Sequence, residues 1–159
     1  MSSLSFKDVM SAVPTSVSLI SCIKGDKIYG CTISSLVSLD VSDTSSKIAF
    51  MLKKDSLVGK TIITNKSFSI NVLSAEQEYL ARYYSNVRSP NSIKEDKWDI
   101  LNDQFAHIKN ARIVLDCEYY DIFDEYPANI YVARVVDSSV NKALLPLIYE
   151  SRNFINLNK

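Results

Sequence analysis

Between Thr15 and Tyr149 the chain carries five to seven runs of β-branched and aromatic residues, separated by polar corners and only brief helical stretches. That pattern restricts the fold more than any other feature. Strands alternating regularly with helices would build a parallel sheet, and such alternation is missing. Many short strands leave unpaired edges unless the sheet curls onto itself. The expected architecture is therefore all-β dominated, an antiparallel sheet closed or nearly closed, with short helices at its periphery.

Local signals place the elements. Ser5 and Asp8 have capping-box spacing, and Phe6, Val9, Met10 and Val13 recur at helical spacing up to Pro14. Thr15 to Cys22 and Lys27 to Ile33 read as a hairpin turning at Lys24-Gly25-Asp26. Ile48 to Leu52 is a strand, Asp55 to Thr64 a short helix, and the serine-rich stretch Val41 to Ser46 a loop. Phe68, Ile70 and Val72 alternate with Ser67, Ser69 and Asn71, which predicts one buried face and one facing a solvent-filled space. Ser74 and Gln77 repeat the capping-box spacing ahead of Leu80, Ala81 and Tyr84, so a helix should run to about Asn86. Val87 to Gln104 reads as a long loop in which Trp98 is a packing anchor, and strands follow at Ala111 to Tyr120, Asn129 to Val136 and Leu144 to Tyr149.

The length of 159 residues suits one domain, 1–159, and no repeat or linker divides it. Eighteen basic against eighteen acidic side chains give no long-range field to collect nucleic acid or an anionic membrane, so a small-molecule partner is expected. Three separated cysteines, Cys22, Cys31 and Cys117, form no CxxC pair and fit a reducing compartment. With no apolar run near the ~20 residues that span a bilayer, a cytoplasmic location is expected.

The chain contains no GxGxxG, P-loop, HExxH or G-x-S-x-G element. His107 is the only histidine and has no neighbouring Cys or His for a transition metal, Cys117 alternates with apolar neighbours as a core residue would, and Asp121, Asp124 and Glu125 lack calcium-loop spacing. No metal site is expected. Two segments carry more chemistry. Gly30-Cys31-Thr32-Ile33-Ser34-Ser35 sets closely spaced hydroxyls beside a residue with no side chain, suited to a phosphate or polyhydroxyl chain, although an ordinary serine-rich strand and turn has the same composition. Lys53-Lys54-Asp55-Ser56 brings cations to a hydroxyl at an expected helix start, a second phosphate candidate or a solvated lysine pair.

Taken in order, the Phe6 helix, Gly30-Cys31-Thr32-Ile33-Ser34-Ser35 with Val37-Ser38, Lys53 to Ser56, Phe68-Ser69-Ile70-Asn71-Val72-Leu73 with Gln77 and Leu80-Ala81, and later Leu115-Asp116-Cys117 and Pro146-Leu147-Ile148-Tyr149 resemble the flavin reductase-like family. The resemblance covers nearly the whole chain. It implies an antiparallel Greek-key split barrel that binds FMN, with FAD as the alternative, and that assembles as a homodimer. It also implies hydride transfer from NADH or NADPH to the flavin, with reduced flavin passed to a partner oxygenase or another acceptor. By the same resemblance, Thr32, Ser34 and Ser35 hold the ribityl-phosphate arm, main chain around Cys31 and Ile33 lies near the ring, and Lys53 and Ser56 hold the phosphate. Many related reductases carry a histidine before a hydrophobic-Gly-x-Val pattern; here Ala128 stands near the expected histidine and Ala133 replaces the glycine. Tyr126, Asn129 and Arg134 are the candidates for orienting the nicotinamide nucleotide. Loss of the histidine leaves a flavin carrier or sensor without nicotinamide-dependent activity as the alternative, and a structural homodimer with a vestigial pocket as a third reading.

Overall fold

The computed structural model describes residues 4–86, 90–92, 95–124, 127–155 and 157. Strands β1 (Thr15–Ser16), β2 (Ser18–Lys24), β3 (Lys27–Ile33), β4 (Val37–Ser42), β5 (Ser45–Lys53) and β6 (Ser67–Val72) form the first half. Strands β7 (Asn91–Ser92), β8 (Trp98–Leu101), β9 (Phe105–Ile108), β10 (Ile113–Phe123), β11 (Ala128–Val140), β12 (Ile148–Glu150) and β13 (Asn153–Ile155) form the second. Three helices are interspersed, α1 (Phe6–Ser11), α2 (Leu57–Asn65) and α3 (Glu78–Asn86). The main sheet has the order β4-β5-β11-β10-β6-β2-β3-β7, antiparallel throughout. Its curl brings the end of β3 back to β5, where the Met51 N–H donates to Ser35 Oγ at 2.9 Å. A side-chain contact rather than a backbone ladder closes that seam, which is the split in the barrel.

Alternation along β2 explains the two cores. Ile20 and Cys22 point into the barrel with Phe50, Phe68, Ile70, Cys117 and Tyr131, under a plug made by Val58 and Ile62 of α2. There Phe50 stacks on Tyr131, with centroids 5.7 Å from Phe68 and 5.4 Å from Tyr131. Leu19 and Ile23 point the other way, into a layer with Leu73, Tyr84, Trp98 and Leu147 beneath α3, the β8–β9 hairpin and the carboxyl-terminal strands. Both faces of β2 and β6 are thus buried, and continuous burial along β2 follows from that sandwiching.

The expected elements compare in instructive ways. The hairpin turns at Gly25, whose φ of +62° is the left-handed conformation glycine adopts freely. Ser5 caps α1 through a capping box with Asp8, and Gln77 closes the box with Ser74, there ahead of a single 3-10 turn before α3. Trp98 is buried against Tyr84, as a packing anchor would be. Three expectations are corrected. Val41 to Ser46 is not a loop but the tip of the β4–β5 hairpin, where Val41 and Ser42 of the edge strand β4 pair with Ser46 and Ser45 of β5 at an exposed corner that needs no apolar face. The stretch Val87 to Gln104 includes β8, which pairs with β9; residues 87–89 and 93–94 lie outside the described ones. Ser69 and Asn71 face no solvent: both are fully buried, under β9.

Helix α1 buries none of its residues, so its cap carries much of what holds it. Ser5→Ala is expected to remove about 1 kcal/mol of local helix stability. Hydrogen exchange should quicken at Asp8 and Val9 while Tm stays unchanged; unaltered exchange there would refute the cap's role.

Candidate functional site

The carboxyl-terminal ends of β3 and β5, the start of α2 and the end of α3 enclose a cleft of about 630 Å³. Such a volume suits a cofactor-sized ligand. Residues from Gly30 to Ser35 form one wall, and Lys53, Asp55 and Ser56 lie across from them. The two segments singled out in the sequence, twenty residues apart, therefore meet at one site. Barrel closure is the reason: the seam that joins Ser35 to Met51 sets the β3 end beside the β5 end.

Each hydroxyl has its own surroundings. Thr32 Oγ1 donates to the Ala81 carbonyl at 2.8 Å and ties β3 to α3. Ser35 Oγ holds the seam, and Ser34 is exposed with no hydrogen-bond partner among the described residues. Ser56 caps α2 by accepting from the Gly59 N–H at 3.3 Å. The first two helical amides, those of Leu57 and Val58, have no partner within the helix by position, and both residues line the cleft. That end of α2 is electropositive. Lys53 adds a formal charge, and among the described residues it makes no ion pair, whereas Lys54 is held by Asp124 at 2.7 Å. Burial pushes the Cys31 thiol up, and the nearby Lys53 ammonium offsets part of that rise. Cys31 is thus a protonated wall residue rather than a nucleophile at neutral pH.

Ile33, Leu52 and Val58 line the cleft and are almost wholly buried, so they back its wall with apolar packing. Gly30 matters for its missing side chain: a Cβ there would stand 2.7 Å from two ring carbons of Tyr84, whose helix forms the far wall. Tyr29, Met51, Tyr84, Ser85 and Asn86 also border the cleft and were not among the candidate site residues of the sequence. The α3 cap foretold that helix and its end near Asn86, but no local pattern says that its last turn borders a cleft.

The remaining candidates do not gather there. Tyr126 lies outside the described residues. Asn129 is buried opposite Leu52 and is not part of the cleft wall; its Oδ1 has no partner among the described residues. Arg134 is opposite Lys47, six residues along β11 from Ala128 and therefore about 20 Å from the Lys53 end. It is bound to Glu118 on the outer surface. Within one copy of the chain, Arg134 is not beside the cleft. Ala128 pairs directly with Lys53. His107 is on β9, with Nε2 2.8 Å from Asp116, a structural partnership remote from the cleft.

A sequence model described as flavin reductase like domain matches residues 10–158. The chain belongs to the flavin reductase like domain family. No curated protein matches it in sequence. Among solved structures similar to this flavin reductase-like chain is the Streptomyces globisporus NADH:FAD oxidoreductase. It has a TM-score of 0.84 and 20% identity, covering 95% of this chain and 90% of that one. BorF, the flavin reductase component of a bacterial two-component tryptophan halogenase, gives 0.83 and 23%, covering 94% of each chain. The styrene monooxygenase flavin reductase of Pseudomonas putida gives 0.81 and 15%, covering 96% of each. These likenesses establish the shared split-barrel fold. Among the described residues no helix is long and apolar enough to cross a membrane.

Proposed function

We propose that this protein is an NADH- or NADPH-dependent flavin reductase, with residues 1–159 acting as one domain. The observation that carries the reading is the meeting of Gly30–Ser35 and Lys53–Ser56 in a single cleft at the electropositive start of α2. Those donors suit a phosphorylated flavin. Lys53 and the Leu57 and Val58 amides hold the phosphate, Ser34 reaches the ribityl hydroxyls, and the main chain at Cys31 and Ile33 borders the ring. FMN is the flavin this cleft accommodates whole, with FAD as an extension of it. When bound, the flavin supplies the hydride-accepting ring, and the chain orients it and leaves one side open to the nicotinamide. Similar structures include the flavin reductase component of a two-component halogenase and the flavin reductase of a styrene monooxygenase, which supports an oxygenase as recipient of the reduced flavin. A second copy of the chain suits the β4 edge, where Val37, Leu39 and Val41 are all exposed.

Anaerobic mixing of the flavin-loaded protein with NADH and NADPH tests the activity. Bleaching faster than free flavin is expected with at least one donor, and free-solution rates with both would refute reduction. Lys53→Ala is expected to weaken FMN binding about tenfold, with His107→Ala unchanged. Equal affinities in the two variants would remove the phosphate from α2. Ser35→Ala is the less clean probe, because it also opens the β3–β5 seam. One observation favours the carrier or sensor alternative: Ala128 beside Lys53 offers no imidazole to the site. Tight flavin binding without donor-dependent bleaching is its signature.

A further inference from the structure

Helix α2 carries a glycine in its first turn, where almost any other residue would favour the helix more. Gly59 is buried, and space is the reason for it. A Cβ there would overlap the hydroxyl oxygen of Tyr131, stand 3.1 Å from the Cζ that bears it and lie 3.6 Å from Leu52 Cδ1. The hydroxyl thus fills the place of the side chain that the helix lacks. We propose that Tyr131 is a positioning residue for the ligand's phosphate: its hydroxyl, wedged against Gly59, sets how far the first turn of α2 descends into the barrel, and so where the Leu57 and Val58 amides meet the cleft. The proposal rests on the flavin reading of that cleft.

Tyr131 is built as a fixed stop. It is 2% exposed, sits opposite Phe50 in the β5–β11 ladder, and stacks on that ring with centroids 5.4 Å apart and planes 6° from parallel. Both strands are interior to the main sheet, so the ring cannot swing aside and the helix must fit the ring. The hydroxyl is held as well. Burial pushes its pKa up, and a hydrogen bond from Asn129 offsets part of that rise, as an amide N–H donating to the phenol oxygen does. Asn129 lies two residues earlier on the same face of β11, opposite Leu52 and away from the cleft wall. Its place is to steady the hydroxyl.

The contact is one turn from every group that faces the phosphate. The Gly59 N–H is the donor that Ser56 Oγ caps, and Leu57 and Val58 are the two residues between them. Val58 and Ile62 are drawn into the barrel core, which presses α2 onto Tyr131 until the hydroxyl halts it. Hydrogen bonds to phosphate are short and directional, so a shift of the helix by about 1 Å is felt there first. A flavin ring against the Cys31 and Ile33 main chain takes its position from β3 and is spared.

FMN and riboflavin, which differ only in the phosphate, separate this role from a merely structural one. In Gly59→Ala, FMN affinity is expected to fall about tenfold and riboflavin affinity to stay within about twofold. Tyr131→Phe keeps the ring and its stack on Phe50 but removes the hydroxyl, and is expected to weaken FMN about threefold with riboflavin again unaffected. Because that change clears the overlap, G59A/Y131F should bind FMN more tightly than G59A alone. Parallel losses for FMN and riboflavin, undiminished FMN affinity in Gly59→Ala, or equal FMN affinities in G59A and G59A/Y131F would each overturn the role. Should Gly59→Ala fail to fold, the ratio of FMN to riboflavin affinity in Tyr131→Phe decides alone. If the unaltered protein binds neither flavin, the flavin reading fails instead, and inorganic phosphate followed by the amide shifts of Leu57 and Val58 decides the positioning role. Saturable shifts that weaken in Tyr131→Phe uphold it; no saturable shifts, or equal affinity in the two proteins, overturn it.

Discussion

Gly30→Ala is expected to destabilise the protein by about 2 kcal/mol, the usual scale for overfilling a packed site. For a chain of this length that is a Tm lower by roughly 4–8 °C. The added methyl would sit 2.7 Å from both Cδ1 and Cε1 of Tyr84, well inside contact distance. The ring has nowhere convenient to go: Tyr84 is 1% exposed, and it meets Tyr83 and Trp98 edge-on at 5.0 and 6.0 Å. Relief must come from α3 shifting away from β3, which pulls on the Thr32–Ala81 hydrogen bond and opens that wall of the cleft. Flavin affinity should fall with stability. A double-mutant cycle isolates the cause. In a Tyr84→Leu background, where the ring edge is gone, the same glycine substitution should cost at least 1 kcal/mol less. Equal costs in the two backgrounds would show that strain at residue 30, and not the contact with Tyr84, is responsible.

How far the sequence alone could lead is set by the range of the forces involved. Caps and turns act over three or four residues, and so Ser5 with Asp8, Ser74 with Gln77 and the Gly25 corner were all legible. Alternation in β6 was legible as well, but it says which residues share a face, not what covers that face. Ser69 and Asn71 look like a solvated side because their partners, Asp116 and Ile108, come from elements some forty residues onward. His107 was equally opaque, since its carboxylate partner belongs to another strand. The site divides along the same line. Closely spaced hydroxyls and a lysine-serine corner are local signals, and the barrel seam brings them together. Gly59 and Tyr131 come from opposite halves of the chain and meet only through the docking of α2 against the β5–β11 ladder. No spacing rule joins them.

Asn71→Ala is expected to cost about 3 kcal/mol, or roughly 6–12 °C in Tm, as several buried polar groups lose partners together. Asn71 Oδ1 accepts from the Ile108 N–H at 2.8 Å, and its Nδ2 donates to Ser21 Oγ at 3.0 Å. On the same short strand, Ser21 Oγ donates to the Ala106 carbonyl at 2.6 Å and His107 meets Asp116 at 2.8 Å. Three consecutive residues of β9 are thus fastened by three barrel side chains, although β9 shares no backbone ladder with β2 or β6. This arrangement explains why a fully buried asparagine occupies a strand between two cores: it substitutes for the ladder that would otherwise dock the hairpin. Loss of the side chain leaves the Ile108 amide and the Ser21 hydroxyl short of partners where water cannot reach, and the hairpin should loosen before the barrel does. Amide exchange in the variant is expected to accelerate most at Ile108 and across β8–β9, with β10–β11 protected until global unfolding. Leucine in place of Asn71 fills the volume without restoring the acceptor, so Asn71→Leu should show the same pattern of exchange. Uniform acceleration over all strands in both variants would mean that Asn71 supports the barrel as a whole and not the docking of β9.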